Sequence, residues 1–144
     1  MANYGPISYD IDLNASGKQI RALSLDHSDD ANAYSIIQIP IAVIANGEGP
    51  TVLFIAGNHG NEYEGQVALR EFVRQTDPAD VRGRIIILPS LNMPAARADA
   101  RVSPLDGANL NRAFPGSPTG CPTASIAGFV NEVFLPLCAA GVDI

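Results

Sequence analysis

Cysteine is scarce in this chain: Cys121 and Cys138 are the two in 144 residues. That excludes a disulfide framework, and their spacing excludes a cysteine-type metal site, so both read as reduced thiols that fill space. Positive charge is scarce too. Nine Lys and Arg stand against 15 Asp and Glu, for a net charge of -6 and a pI near 4.6. Non-specific nucleic-acid binding needs cations to displace counterions from phosphates, so nucleic acid is excluded as a partner. An anionic membrane surface is disfavoured for the same reason. Long apolar runs are missing: the longest are about six residues, too short to cross a bilayer. Residues 1–10 have neither the basic nor the apolar region of a secretory leader, which makes a cytoplasmic location the default expectation. Histidine is limited to His27 and His59. A catalytic zinc takes three protein ligands and keeps one position open. His27 sits in a polar, turn-like stretch.

What is present suits one domain with a real core: 47% hydrophobic and 17% charged residues. Ile7, Tyr9, Ile11 and Leu13 alternate with polar residues, the period of a half-buried strand. Residues 14–17 read as a turn and residues 18–25 as a returning hairpin partner. Residues 26–32 read as a polar loop. Ile37, Ile39, Ile41 and Val43 mark one face of a strand over residues 34–45. Pro40 in its middle removes a ladder donor, which predicts an edge strand or a bulge.

The apolar run 51–56 reads as a strand covered on both faces. Gly65, Ala68, Leu69, Phe72 and Val73 then form a helical stripe that ends at residues 76–78. Residues 85–88 give a second buried strand. This β-α-β unit implies a parallel pair with a right-handed crossover. A second helix follows Pro122-Thr123, with Ile126, Phe129, Val130, Val133, Phe134 and Leu137 as its stripe. Pro136 is expected to strain or shorten its last turn, and Gly141 to cap it. Residues 142–144 read as the opening of another strand. The expected class is α/β: a three-layer α/β/α domain with a mostly parallel sheet. Residues 1–50 form a β-rich segment with antiparallel edge strands, and residues 51–144 the α/β core. An unpaired strand edge after Gly141 invites a second chain, so a homo-oligomer is expected.

Two polar constellations carry the chemistry. His59-x-x-Glu62 directly follows the strand at 51–56. Ligands in open parallel sheets bind beyond the carboxyl ends of the strands. The spacing can bring an imidazole nitrogen and a carboxylate oxygen to one metal ion. Gly57 and Gly60 permit tight backbone beside the histidine. A lone His-x-x-Glu is weak; the alternative is a surface histidine with Glu62 favouring a helix N-terminus. The irregular stretch 92–117 emerges on the same side of the sheet and delivers Arg101, Asn111 and Arg112 toward His59. Arginine pairs with carboxylates through a planar fork, and asparagine adds a neutral donor, so a substrate bearing a carboxylate is expected. Alternatively Arg101 and Arg112 pair with Asp99 and Asp106 to shape the loop. Glu64 is expected to point away from the metal side, and Tyr63 to pack or to cap the pocket.

The strings GNHGNEYEG, RGRIIILPSLNMPA and SPLDGANLNRAFPG resemble the succinylglutamate desuccinylase/aspartoacylase family, a zinc carboxypeptidase-like group. They look most like its N-acetyl-diaminobutyrate deacetylase branch from ectoine breakdown. The resemblance runs over nearly the whole chain. It implies a zinc-dependent hydrolase that removes an acyl group from an N-acyl amino acid. His59 and Glu62 would be zinc ligands. Arg101 would polarise the scissile carbonyl, and Asn111 and Arg112 would hold the substrate carboxylate. It also implies a third zinc ligand, a histidine in an Asp-x-His strand, together with a later catalytic glutamate and a C-terminal β-rich region. These 144 residues contain none of the three, and 142–144 stand where that strand would begin. The chain is therefore expected to be the N-terminal portion of such an enzyme. The competing expectation is a non-catalytic domain of that fold that binds a carboxylate or a protein.

Overall fold

The computed structural model describes residues 1–28, 30 and 33–144. Seven strands make one mixed sheet in the order β1-β2-β3-β4-β6-β5-β7. They are β1 (Ala2–Tyr4), β2 (Ile7–Tyr9), β3 (Gly17–His27), β4 (Ser35–Asn46), β5 (Thr51–Ile55), β6 (Gly83–Leu88) and β7 (Ala140–Asp143). The helices are α1 (Tyr63–Gln75), α2 (Met93–Arg97), α3 (Leu110–Ala113) and α4 (Pro122–Phe129).

The alternation along β4 sets the layers. Ile37, Ile39, Ile41 and Val43 face one side, as expected, and pack with Ile126, Phe129, Val130 and Phe134 from α4 and the turn after it. Ala42 and Ile44 face the other side, with Leu69 and Val73 of α1. Successive side chains of a strand point to opposite faces, so one isoleucine-rich strand feeds two cores. The result is the α/β/α sandwich expected from the sequence.

Strands β1 to β4 are antiparallel, as expected for the N-terminal segment, and β4 also meets β6 antiparallel. Parallel pairing is confined to β6, β5 and β7, with the β5-α1-β6 crossover at its centre. Where a mostly parallel sheet was expected, the sheet is mixed, because β4 enters between the N-terminal hairpin and β6. Pro40 is accommodated without an edge strand. The β4–β6 ladder starts at Ala42, so Pro40 sits where β4 has β3 alone as neighbour.

Other boundaries moved. Residues 11 and 13 lie outside β2, although Ile11 and Leu13 still pack on the core. Asp26 and His27 complete β3 where a loop was expected. Asp29, Ala31 and Asn32 of that expected loop lie outside the described residues.

Helix α4 ends as Pro136 dictates. Proline has no N–H to return to the carbonyl four residues back, and its ring crowds that carbonyl. The chain answers with a π turn over residues 130–134, in which Leu135 N–H bonds to the Val130 carbonyl, and then a tight turn at 135–137. Gly141 is not a helix cap. It lies inside β7, opposite Leu53. Residues 142 and 143 do join a strand, as expected. Cys121 is exposed at the start of α4 instead of filling space, whereas Cys138 packs on the core.

Candidate functional site

β5, β6 and β7 run parallel, so their carboxyl ends share one edge of the sheet. His59 lies just past the end of β5. Its side chain is 8% exposed. Nδ1 stands 3.1 Å from each carboxylate oxygen of Glu62, which occupies the residue before α1. Nε2 stands 3.2 Å from Oδ1 of Asn109. That oxygen also accepts the Asn111 N–H at the start of α3. An amide oxygen can only accept, so Nε2 donates to it; Nδ1 faces the Glu62 carboxylate, and either donates a proton to it or, with a metal ion between them, ligates that ion.

Glu62 is shared. Arg101 Nη1 donates to its Oε1 at 2.9 Å. The His59 contact first, and Arg101 with it, hold this carboxyl below the usual carboxylate range. Both charged side chains are more than half exposed, at 55% for Glu62 and 58% for Arg101. The site is thus a buried imidazole facing an open, charged rim.

The loop over residues 57–62 is tied to its neighbours at many points. Gly57 adopts a φ of 72°, in the left-handed region. Its carbonyl accepts Asn92 N–H at 3.0 Å. Asn92 Nδ2 donates to the Asn58 carbonyl at 3.1 Å. Gln66, buried on the first turns of α1, donates to the carbonyls of Gly60 and Glu62, both at 3.0 Å. Ser90 in turn donates to Gln66 Oε1 at 2.7 Å. Asn58 Nδ2 reaches Asp143 Oδ2 at 2.5 Å, which ties the end of β7 to the same loop. Burial raises the Asp143 carboxyl, with the nearby Glu62 charge adding to the rise. Asn58 Oδ1 is buried and has no partner among the described residues.

Gly60 has a steric reason. A Cβ there would run into the backbone of Ala95 and Ala96 in α2. Gly60→Ala is therefore expected to push the His59 loop off α2 and cost about 1–3 kcal/mol of stability, as overpacking does. Chemical unfolding of the purified variant measures this; an unchanged midpoint would refute the close approach.

The stretch 92–117 is held in shape by its acids, but not through arginine. Asp106 accepts Thr123 N–H and Oγ1–H, both at 2.8 Å, and Ala108 N–H at 3.1 Å. Burial pushes this carboxyl up, yet those donors outweigh it and leave it lowered. Asp99 accepts the Tyr63 hydroxyl, which raises that phenol. Through this bond Tyr63 tethers α1 to the loop. With both acids so engaged, Arg101 is left for Glu62. Arg112 reaches back to the Asn111 carbonyl at 3.5 Å.

The structure thus brings His59, Glu62 and Arg101 into contact. Asn111 and Arg112 follow, exposed, on the turn that Asn109 begins against His59. His27 ends β3, a strand separated from β5 in the sheet by β4 and β6. Gln66, Asn58 and Asp143 are supporting residues that the sequence reading assigned no part, and Asn109, read as the start of the Asn109–Arg112 constellation, was given no role. The signal for its role was there, since an asparagine directly before a short helical stretch is a capping pattern. The others are long-range contacts with no local signature.

Among the described residues no group of three or more His, Cys, Asp or Glu side chains could hold a metal ion. The pair present nevertheless fits one. Zinc holds imidazole nitrogen and carboxylate oxygen at about 2.0–2.2 Å each, which sets tetrahedral donors about 3.3 Å apart. The observed separation is 3.1 Å. His59 and Glu62 thus fit two ligand positions, with Asn109 as the outer partner that orients the imidazole.

The three-layer α/β fold that places this pair beyond the carboxyl ends of its parallel strands is shared with a metallopeptidase-like protein of Shewanella denitrificans, at a TM-score of 0.62 and 20% identity over 86% of this chain and 45% of that one. The chain belongs to the succinylglutamate desuccinylase/aspartoacylase family, whose catalytic-domain model matches residues 48–144. It is 45% identical over 139 residues to the N-alpha-acetyl-L-2,4-diaminobutyric acid deacetylase of Halomonas elongata, covering 96% of this chain and 41% of that protein. It superposes on the product-bound ectoine utilization protein EutE (DoeB) of Ruegeria pomeroyi with a TM-score of 0.93 and 47% identity, over 98% of this chain and 43% of that one. A succinylglutamate desuccinylase/aspartoacylase from Rhodobacter sphaeroides gives a TM-score of 0.92 at 43% identity, over 96% of this chain and 42% of that one. The chain therefore spans 41–43% of the length of these relatives. No helix among the described residues is long and apolar enough to cross a membrane.

Proposed function

We propose that this chain is the N-terminal portion of a zinc-dependent hydrolase that releases the acyl group from an N-acyl amino acid, an N-acetylated diamino acid first among them. The observation that carries the reading is the approach of His59 Nδ1 to both Glu62 oxygens at 3.1 Å. The names of the similar proteins support the substrate class. In this reading His59, through Nδ1, and Glu62 hold the metal. A zinc ion there would supply Lewis acidity and a bound water of lowered pKa. Asn109 keeps the imidazole in the tautomer that leaves Nδ1 free to ligate. Arg101 presents its guanidinium to the oxygen of the scissile carbonyl as negative charge develops. Asn111 and Arg112 grip the substrate carboxylate and fix the amide against the site. The third ligand and the proton-shuttling glutamate are assigned to residues following Ile144 in a longer protein. The partnerless Asn58 Oδ1 beside the end of β7 supports a donor from such a continuation.

The test uses the complete protein, loaded with zinc, and follows acetate release from N-acetyl-2,4-diaminobutyrate. Turnover that disappears in His59→Ala together with bound zinc supports the reading. Tight zinc and substrate binding with no hydrolysis of any N-acyl amino acid would instead make this a binding domain. Arg112→Ala is expected to raise KM by about 10- to 100-fold with kcat little changed, as for the loss of a charge-assisted hydrogen bond of about 1.5–3 kcal/mol. Steady-state kinetics decides; an unchanged KM would remove Arg112 from the carboxylate site.

A further inference from the structure

Helix α2 ends in a way that glycine usually serves. Asp99 N–H bonds to the Ala96 carbonyl at 3.3 Å and Ala100 N–H to the Ala95 carbonyl at 3.0 Å. These are the paired bonds of a Schellman motif, with Asp99 at its left-handed position. Its φ is 50°, and no other non-glycine among the described residues has a positive φ. Glycine takes that conformation without cost; asparagine and aspartate visit it, at a cost that glycine does not bear. Strain of this kind persists where the side chain is needed.

What Asp99 does with its carboxylate is accept the Tyr63 hydroxyl. Tyr63 adjoins Glu62, and Asp99 lies two residues before Arg101. Two bridges therefore join the same two segments: Tyr63 to Asp99, and Glu62 to Arg101 at 2.9 Å. Arg101 itself is 58% exposed, so few packing contacts fix it. We propose that Tyr63 and Asp99 form a latch that positions Arg101 over the His59–Glu62 pair. Both are positioning residues and touch no substrate. Asp99 stands where the backbone asks for glycine because glycine cannot hold the tyrosine. The inference rests on the role of Arg101 given above.

The test compares Asp99→Gly, Asp99→Asn and Tyr63→Phe in the complete, zinc-loaded protein. Asp99→Gly and Tyr63→Phe are expected to lower kcat about 10-fold or more with KM nearly unchanged, as misplacement of a transition-state group does. Asp99→Asn keeps both the left-handed conformation and an acceptor for the hydroxyl, so it should retain most of the activity. Thermal unfolding should show Asp99→Gly at least as stable as the parent, because the strain is gone. A merely structural role predicts the reverse, with stability and activity falling together. A second readout needs no turnover. The Arg101 Nε–H group should give an ordered NMR signal in the parent and in Asp99→Asn, and a motionally averaged one in the other two variants. If Arg101 stays ordered and kcat stays high in Asp99→Gly, the latch is overturned. If the parent hydrolyses no N-acyl amino acid, the function falls, and the NMR comparison alone still decides the latch.

Discussion

Replacing Arg101 with alanine in the complete, zinc-loaded protein is expected to lower kcat by about 100- to 1,000-fold, the effect of losing one strong oxyanion donor at about 2.7–4 kcal/mol. KM should move far less, because the guanidinium meets its charge only as the carbonyl oxygen becomes negative. The structure gives Arg101 the means. It is the arginine that reaches the Glu62 carboxylate, at 2.9 Å, while the acids that would have bound it to the loop are occupied by Tyr63 and Thr123. Arg101→Lys should recover only part of the loss, since a point charge does not reproduce the fork. Steady-state kinetics on an acetylated diamino acid measures the split. A variant that loses KM but keeps kcat would assign Arg101 to substrate binding instead.

How far the site was legible depended on whether its determinants were local. His59 and Glu62 were readable because three residues of sequence and one strand end fix their relation. The β5-α1-β6 unit was readable for the same reason, as an apolar run, a helical stripe and a second run in order. Gln66 was not. It sits on the buried side of α1, where an apolar residue is the ordinary expectation, and its value lies in two loop carbonyls that have no other mark in the sequence. Asn58 and Asp143 are 85 residues apart and meet only because β7 lies beside β5. The place of β4 was obscured by Pro40, which argues for an edge. The argument holds locally and fails for the strand, since β4 is paired on one side at Pro40 and on both from Ala42 onward. The π turn after α4 was half legible. Pro136 announced a disturbance, but nothing local marked that the helix would widen into a π turn before it stopped.

Phe134 packs against Phe129, and Phe129→Ala should be the most destabilising single change in the core. Phe129 is 1% exposed. Its ring meets Tyr4 at 5.9 Å, Tyr9 at 5.2 Å and Phe134 at 4.9 Å, each edge to face. Those partners come from β1, β2 and the π turn, so one ring fastens the N-terminal strands and the turn after α4 to each other. Truncation removes the ring's burial and leaves a cavity that three aromatic neighbours cannot easily close. The expected loss is about 3–5 kcal/mol, or roughly 10 °C in Tm for a domain of this size. Phe129→Leu, which keeps most of the volume, should cost about 1.5 kcal/mol or less. The proposed metal pair gives a second readout. His59 and Glu62 are braced by Gln66 on α1, across the sheet from Phe129, but also by Asn92 and Asn109, whose neighbours Leu91, Met93 and Leu110 pack in the same core as Phe129. Zinc affinity of the folded Phe129→Ala protein, measured well below its melting point, should therefore fall only as far as the cavity shifts Leu91 and Leu110. Denaturant unfolding and calorimetric zinc titration separate the two effects. A loss below 1 kcal/mol would mean that α4 does not carry this core, and an unchanged zinc affinity would mean that Asn92 and Asn109 keep their places when the ring is removed.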